Sequence, residues 1–364
     1  AIYRGLVILV IACPCALVIS TPVTIVAGLS SAARAGVLIK GGLFLEKAAH
    51  IKALALDKTG TLTQGHPEVQ MVVPLNNHTS AELLSRAASL EASSEHPLAR
   101  AVLRRAKAEG VEYEPAENFR ILKGKGAEGI VNGRSFWIGS HRFLHEKQLE
   151  TDEVHDYASK FEDSGQTVVV VGNEEHVCGL ISIADSIRLD SRQSIVELEQ
   201  VGVEKVVMLT GDNEGTAKAI SKLAGIEIFK SELLPEDKVT EVSELVAQYK
   251  NVAMIGDGVN DAPALAVASL GIAMGAAGTD AAIETADIAL MSDELRRVPW
   301  LIKHSQRTLT IIKQNIIFSL GVKLLFLVLA LLGMATLWMA IAADAGASLL
   351  VVFNGLRPLR ASAE

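Results

Sequence analysis

The sequence predicts apolar membrane helices joined to a cytoplasmic α/β domain whose parallel sheet is interrupted by an inserted α+β domain. Three observations predict it. Charge is segregated: of the 76 Lys, Arg, Asp and Glu residues, only Arg4, Lys323, Asp344, Arg357, Arg360 and Glu364 lie outside Arg34–Lys313. Within the charged region, short apolar runs ending in polar turn residues alternate with helix-like segments. The first of those runs is cut off from the rest by a stretch with strand and helix patterns of its own. The averages, 49% hydrophobic and 21% charged with a mean hydropathy of +0.32, therefore mix two protein types. They exclude disorder, a collagen-like repeat and a disulfide-stapled miniprotein.

The membrane elements come first and last. Gly5–Ala33 carries no charge and no His, and exceeds the about 20 apolar residues a span needs. It is too long for a signal peptide and leads straight into a domain. Ile316–Met334 and Leu337–Phe353 read as two more spans, joined by a tight hairpin at Gly333-Met334-Ala335-Thr336. In a three-span topology Arg34, Lys40, Arg296, Arg297, Lys303, Arg307, Lys313, Arg357 and Arg360 all fall on one side, which the positive-inside rule makes cytoplasmic. Arg4 is the minority charge. The chain starts at Ala1 rather than Met, so it is expected to begin inside a longer protein. The net charge of −8 comes mainly from the soluble region, and no basic stripe with interleaved aromatics argues for nucleic acid. Cys178, in the apolar run Val177–Ile181, reads as a reduced core residue.

The sheet follows from five runs. Ala53–Leu56 ends at Asp57, Val206–Leu209 at Thr210-Gly211-Asp212, and Val252–Ile255 at Gly256-Asp257. Leu270–Met274 ends at Gly275 and Ile288–Met291 at Ser292. With helical segments such as Gly215–Ala224 and Lys238–Gln248 between them, such fully apolar strands make a parallel sheet covered on both faces. Ligands then bind at the carboxyl ends of the strands. The insertion shows strand patterns at Gly129–Trp137 and Thr167–Val171, and helical ones at Ala81–Glu91 and Leu98–Ala108. The expected order is a span over 1–33, a first α/β part over 34–68, the insertion over 69–183, and a second part over 184–310. Two spans over 311–356 and a cytoplasmic tail over 357–364 follow.

Phosphate chemistry sits at the strand ends. Asp57-Lys58-Thr59-Gly60-Thr61-Leu62-Thr63 puts an acid at a strand end before a turn of backbone N–H groups, which suits nucleophilic attack on phosphorus. A lone Asp there would read as a cap. Thr210-Gly211-Asp212 adds a hydroxyl and backbone donors. Lys238 supplies a fixed cation for phosphoryl oxygens. Asp257-Gly258-Val259-Asn260-Asp261 supplies acids that suit a hard Mg²⁺.

These motifs, DKTGTLT, TGDN and GDGVNDAPAL, resemble those of the P-type ATPases, built on the haloacid dehalogenase-like fold. The resemblance covers the whole chain. It implies a Rossmann-like phosphorylation domain, with Asp57 as the aspartyl-phosphate and Lys58 and Asp212 among the catalytic residues. Thr59, Thr210, Gly211, Lys238 and Asn260 are implied phosphate contacts. Asp257, Asp57 and the Thr59 carbonyl are implied Mg²⁺ ligands, supported by Asp261. Phosphatases of that fold carry a second Asp two residues after the nucleophile; here Thr59 stands there. With no base nearby an acyl-phosphate persists, which suits a pump intermediate.

Within the insertion, His96-Pro97 opens a helix, where Pro is well placed and an imidazole can meet adenine. Gly124-Lys125-Gly126 lets backbone approach a nucleotide closely. The pair resembles the nucleotide-binding domain of heavy-metal-transporting P-type ATPases, which implies ATP as cofactor and Glu91 as an adenine partner. Asp185 and Arg188, where the insertion returns, read as an interdomain hinge pair or as a surface salt bridge.

In the first span, Cys13-Pro14-Cys15 places two thiols beside a proline that removes a backbone donor and frees carbonyls, a soft metal site. Lys323 and Asp344 lie within spans, where charges usually pair and face a pathway. Asn315, Lys323 and Asp344-Ala345-Gly346 resemble the zinc/cadmium/lead-exporting class. Two Cys and an Asp suit borderline Zn²⁺, Cd²⁺ or Pb²⁺ and exclude all-oxygen sites for Mg²⁺ or Ca²⁺. The expected cycle binds metal at Cys13, Cys15 and Asp344, phosphorylates Asp57, and releases metal as Lys323 competes for Asp344.

No Thr-Gly-Glu segment is present. The chain therefore reads as the C-terminal part of a pump in a bacterial-type plasma membrane, with membrane lipid and the N-terminal actuator part and earlier spans as its partners. Two other readings stand beside it: a membrane-tethered phosphatase, and a non-catalytic metal-binding regulatory fragment.

Overall fold

The structure is a computed structural model that describes residues 7, 10–94, 96–122, 125–257, 261–275, 284–292 and 294–360. The chain divides into two compact units. One comprises Ala1–Ala55, Val196–Lys205 and Lys238–Glu364; the other comprises Leu56–Ile195 and Val206–Asp237.

Helix α1 (Cys15–Arg34) buries a stripe of small residues, Ala16, Ser20, Thr24, Ala27, Gly28, Ser31 and Ala32. Such stripes let helix backbones approach closely in a bilayer. Strand β1 (Val37–Ile39), helix α2 (Gly42–Ala49) and strand β2 (Ala53–Asp57) follow. Strand β3 (Glu68–Pro74) opens the insertion, and helix α3 (Ser80–Glu91) starts on a capping box between Thr79 and Glu82. Helix α4 (Pro97–Ala108) places Pro97 in its first turn. Strands β4 (Glu117–Leu122), β5 (Gly126–Val131) and β6 (Arg134–Ser140) precede helices α5 (His141–Lys147) and α6 (Asp152–Asp163), then β7 (Thr167–Asn173) and β8 (Val177–Ala184). Alternation resumes with α7 (Ser191–Gln200), β9 (Lys205–Leu209), α8 (Glu214–Ala224), β10 (Ile228–Lys230), α9 (Pro235–Tyr249), β11 (Val252–Gly256), α10 (Ala262–Val267), β12 (Leu270–Ala273) and β13 (Ile288–Leu290). Helices α11 (Arg297–Leu331) and α12 (Leu337–Gly355) close the chain.

In the second unit the insertion forms one six-stranded sheet in the order β3-β8-β7-β6-β5-β4, antiparallel throughout. Val169 and Val171 of β7 join the apolar cluster of α3 and α4 (Leu83, Leu84, Leu90, Val102). Val168 and Val170 join that of α5 and α6 (Leu144, Ala158, Phe161). Side-chain alternation thus gives each face its own core. The stretch Gly129–Trp137, expected as one strand, is a hairpin: β5 and β6 turn at Asn132-Gly133, both with positive φ (49° and 73°). Asn-Gly is the favoured pair for that turn, a signal the apolar run masked. The end of β2 neighbours β9, and β9 pairs in parallel with β10.

In the first unit β11, β12 and β13 pair in parallel, and β1 adds an antiparallel edge on β13. Three segments, Val10–Arg34, Arg297–Leu331 and Leu337–Arg360, are long and apolar enough to cross a membrane. The second was expected to begin at Ile316, yet α11 runs unbroken for 35 residues from Arg297. Its charged N-terminal part buries Val298, Leu301, Ile302, Ser305 and Thr308, a helical spacing that continues the apolar face. A hydropathy signal sees only the lipid-length portion of such a helix. The expected hairpin is present: Gly333 has φ 78°, and the Met334 and Ala335 N–H groups both donate to the Leu329 carbonyl.

Candidate functional site

The second unit takes up the chain at the end of β2, where Leu56 and Asp57 are both buried. The chain then turns tightly over Lys58–Leu62, with Gly60 left-handed (φ 72°), and closes when the Thr63 N–H donates to the Lys58 carbonyl at 3.1 Å. Two later residues hold this turn. Asp185 accepts from the Thr63 hydroxyl at 2.6 Å and from the Gly65 and His66 N–H groups, both at 3.1 Å. Arg188 donates to the Thr61 and Gly60 carbonyls, both at 3.1 Å. The expected hinge pair therefore serves as two braces on different parts of the loop after Asp57.

Lys58 is buried and forms an ion pair with Asp212. Thr210 is buried as well, and its hydroxyl accepts from the Asp212 N–H at 3.1 Å. Asn213 caps α8, its Oδ1 accepting from the Thr216 N–H at 2.8 Å. Asp57, Lys58, Thr59, Thr210, Gly211 and Asp212 thus belong to one unit. The Thr61 hydroxyl is fully buried, with no hydrogen-bond partner among the described residues. Sequence reasoning passed over it as motif filler, although an unpaired buried hydroxyl inside a phosphate-binding turn is a donor awaiting an acceptor.

In the first unit, Lys238 Nζ donates to Asp261 Oδ1 at 2.8 Å. Asp261 is 2% exposed, and among the described residues its buried Oδ2 has no hydrogen-bond partner. Burial pushes the Asp261 carboxyl up; Lys238 opposes this, and the Asp257 charge adds to it. The end of β11 must be glycine, because a Cβ on Gly256 would stand 2.4 Å from Asp261 Oδ2. A buried carboxylate oxygen without a partner, beside a second carboxylate, fits a hard divalent cation. Asn260 lies outside the described residues. Of the expected Mg²⁺ ligands, Asp57 and Thr59 belong to the second unit, Asp257 and Asp261 to the first.

The candidate nucleotide residues lie in the second unit. His96 caps α4, its Nδ1 accepting from the Leu98 N–H at 3.3 Å, so a neutral ring carries its proton on Nε2 as a donor. Protein packed against the ring pulls its titration below the ordinary imidazole range. Glu91 ends α3, half-buried, and burial pushes its carboxyl up against a hydrogen bond from Ser94. Gly126 has a packing reason to be glycine in addition to the expected one. A Cβ there would lie 2.0 Å from the Ile138 carbonyl, so close strand packing requires it. Gly124 lies outside the described residues.

In the first unit the helix breaks at Cys13 and Pro14, and α1 starts at Cys15. Lys323 Nζ donates to the Ile11 carbonyl at 3.1 Å and to the Cys13 carbonyl, the acceptors a proline break leaves open. It lies 3.8 Å from Asp344 Oδ1. The Cys15 side chain interacts with those of Cys13 and Asp344, while Cys13 is exposed. Lys323, Asp344 and Ser319 line a cavity of about 20 Å³. The Ser319 hydroxyl is buried without a partner among the described residues, a polar contribution the apolar run Ile316–Leu320 concealed. Asn315 is a bracket between helices: its Nδ2 donates to the Val351 carbonyl at 3.1 Å, and its Oδ1 accepts from Asn354 at 2.8 Å.

Comparison with known proteins bears on these groups. The haloacid dehalogenase-like hydrolase family matches residues 51–269. The catalytic domain of a CPx-ATPase, described for its conformational changes upon nucleotide binding, matches at TM-score 0.60 and 31% identity over 76% of this chain and 98% of that one. The chain belongs to the haloacid dehalogenase-like hydrolase family. It is 47% identical to a probable cadmium-transporting ATPase of Alkalihalophilus pseudofirmus, over 99% of this chain and 50% of that protein. It is equally identical to a zinc/cadmium/lead-transporting P-type ATPase of Escherichia coli, over 99% and 48%. A zinc-transporting PIB-type ATPase in the E2.Pi state matches at TM-score 0.82 and 46% identity, over 99% of this chain and 58% of that one. The chain spans about half the length of the curated relatives it matches.

Proposed function

We propose that this chain carries the phosphorylation, nucleotide and ion-path residues of a pump that exports a soft divalent metal, Zn²⁺, Cd²⁺ or Pb²⁺, through an aspartyl-phosphate. Asp57 attacks the γ-phosphorus of ATP; the bond to the β–γ bridging oxygen breaks and ADP leaves. Thr210, Gly211, Lys58, Thr59, Asn260 and Lys238 contact phosphate, and the neutral His96, with Glu91 and the Gly124–Gly126 turn, contacts adenine. Asp212 holds Lys58. Asp257 and Asp261 suit Mg²⁺, which when bound offsets the charge on the phosphoryl oxygens. With Thr59 two residues after Asp57 no carboxylate activates water there, which favours a lasting acyl-phosphate over simple phosphatase turnover.

The observation that carries the cargo reading is Lys323. Its ammonium fills the carbonyls opened by Cys13-Pro14-Cys15 and stands 3.8 Å from Asp344. Thiolate ligands at Cys13 and Cys15 with one carboxylate suit a borderline-soft ion, and Lys323 replaces the ion's charge at Asp344 on release. The membrane in this reading is a bacterial-type plasma membrane, with the α/β regions cytoplasmic. The test is metal-dependent phosphorylation in detergent micelles. Zn²⁺, Cd²⁺ and Pb²⁺ should raise the phosphoenzyme level and Cu⁺ should not. Stimulation by Cu⁺ alone, or persistence of the Zn²⁺ response after Cys13→Ser with Cys15→Ser, contradicts the reading.

A further inference from the structure

A second cluster of metal-type ligands lies far along the chain from the ion path, in the helices α5 and α6 of the insertion. His141 and His145 stand four residues apart on α5, so both rings lie on one helix face, stacked with centroids 4.9 Å apart. The linker after α5 brings Glu150 back against them, and α6 adds His155. Glu150 Oε1 lies 2.8 Å from His141 Nε2 and 3.0 Å from His155 Nδ1. Its Oε2 lies 2.5 Å from His145 Nδ1. The ligand atoms of His141, Glu150 and His155 all fall within 4.8 Å of one another.

The outward side of each ring is also prepared. His141 Nδ1 faces Glu162 Oε2 at 3.2 Å, and His155 Nε2 faces the Ser159 hydroxyl at 3.4 Å. A carboxylate on the far nitrogen fixes the tautomer that leaves Nε2 as a ligand, the arrangement found behind zinc-bound histidines. Tetrahedral ligands at about 2.0–2.1 Å from zinc stand about 3.3 Å apart, so Glu150 Oε1 needs to draw away from the His141 and His155 nitrogens by only about 0.3–0.5 Å. Two carboxylates, Glu150 and Glu162, match the charge of one divalent cation.

A rival cluster in the same unit fails this test. His78 Nε2 lies 2.9 Å from His176 Nε2, near Cys178. But Arg86 Nη1 lies 3.1 Å from His78 Nδ1. A guanidinium there can only donate, which puts the imidazole proton on Nε2 and a positive charge beside the cluster.

We infer that His141, Glu150 and His155, oriented by Glu162 and Ser159, form a binding site for one zinc-class divalent cation outside the transport path, with water as the fourth ligand. The inference stands independently of the cargo reading. The probe is Co²⁺, titrated into the detergent-solubilised full chain carrying Cys13→Ser and Cys15→Ser, in excess Mg²⁺ to fill all-oxygen sites. The expected result is one equivalent bound with the visible bands of four-coordinate cobalt and no thiolate-to-metal absorption. Affinity should fall more than tenfold in Glu150→Gln and in His155→Asn, whose side chain is 55% exposed and tolerates replacement. Glu162→Gln, which touches no metal, should weaken binding 10–100-fold while leaving the band positions of a four-coordinate ion. Unchanged binding in both Glu150→Gln and His155→Asn overturns the inference. So does a thiolate band that disappears with Cys178→Ser.

Discussion

The Thr63 hydroxyl donates to Asp185 Oδ2 at 2.6 Å across 122 residues of sequence. The loop that follows Asp57 is therefore fastened to the residue just after β8, the strand by which the inserted sheet returns. Removing the carboxylate deprives Thr63, Gly65 and His66 of one shared acceptor. Hydrogen bonds to charged groups contribute about 1.5–3 kcal/mol each, less where water can replace the partner. Asp185→Ala should lower stability by roughly 2–4 kcal/mol and reduce phosphorylation of Asp57. Asp185→Asn should lose less, since it keeps one acceptor. Chemical denaturation alongside a phosphorylation assay reads both; an Asp185→Ala protein of wild-type stability contradicts the brace.

Lys58 and Asp212 form an ion pair with side chains 10% and 28% exposed. Taking away one partner leaves the other charge poorly solvated, which costs more than replacing both. Lys58→Met and Asp212→Asn should each destabilise, and the double variant should be more stable than the sum of the singles predicts by about 1–3 kcal/mol. Additive single effects in a double-mutant cycle would show the pair to be energetically idle.

Glu91 predicts a pH dependence. Burial raises its folded-state titration above the ordinary value of 4.5, so folding takes up protons. Its stabilising contribution is complete below the unfolded value and is lost as pH rises through the folded one. Glu91→Gln should therefore raise the melting temperature at pH 7, and the gain should vanish below about pH 4.5. A gain that grows toward acid reverses the sign and excludes burial as the cause.

Lys323 predicts a kinetic split. Lys323→Met keeps much of the apolar stem but removes the charge from Asp344 and the donor from the Ile11 and Cys13 carbonyls. Metal release after phosphorylation should slow at least tenfold while Asp57 phosphorylation persists. Rapid filtration of preloaded Zn²⁺ measures the release; an unchanged rate removes the counter-charge role.

Much of this was readable from residue order because the informative signals are local. A strand ending in Asp57, or charges such as Lys323 and Asp344 inside apolar runs, need no knowledge of neighbours. Gly126 shows the opposite case. Its missing side chain answers to the Ile138 carbonyl on the next strand, and only strand pairing reveals that. The roles of Asp185, Arg188 and Thr61 depend on which loop they meet after long chain separations. Ser319 looked like one small residue in an apolar helix until the cavity beside Lys323 gave its hydroxyl a setting. The length of α11 was hidden for a related reason, since the helix continues past the lipid-length portion that hydropathy detects.

The central claim is that Asp57 becomes an acyl-phosphate when a soft metal is present. It is tested by incubation with γ-labelled ATP, Mg²⁺ and Zn²⁺, followed by acid quench. The account predicts label that requires Zn²⁺, is discharged by hydroxylamine and is absent in Asp57→Asn. Label that survives hydroxylamine, or that remains in Asp57→Asn, would contradict it.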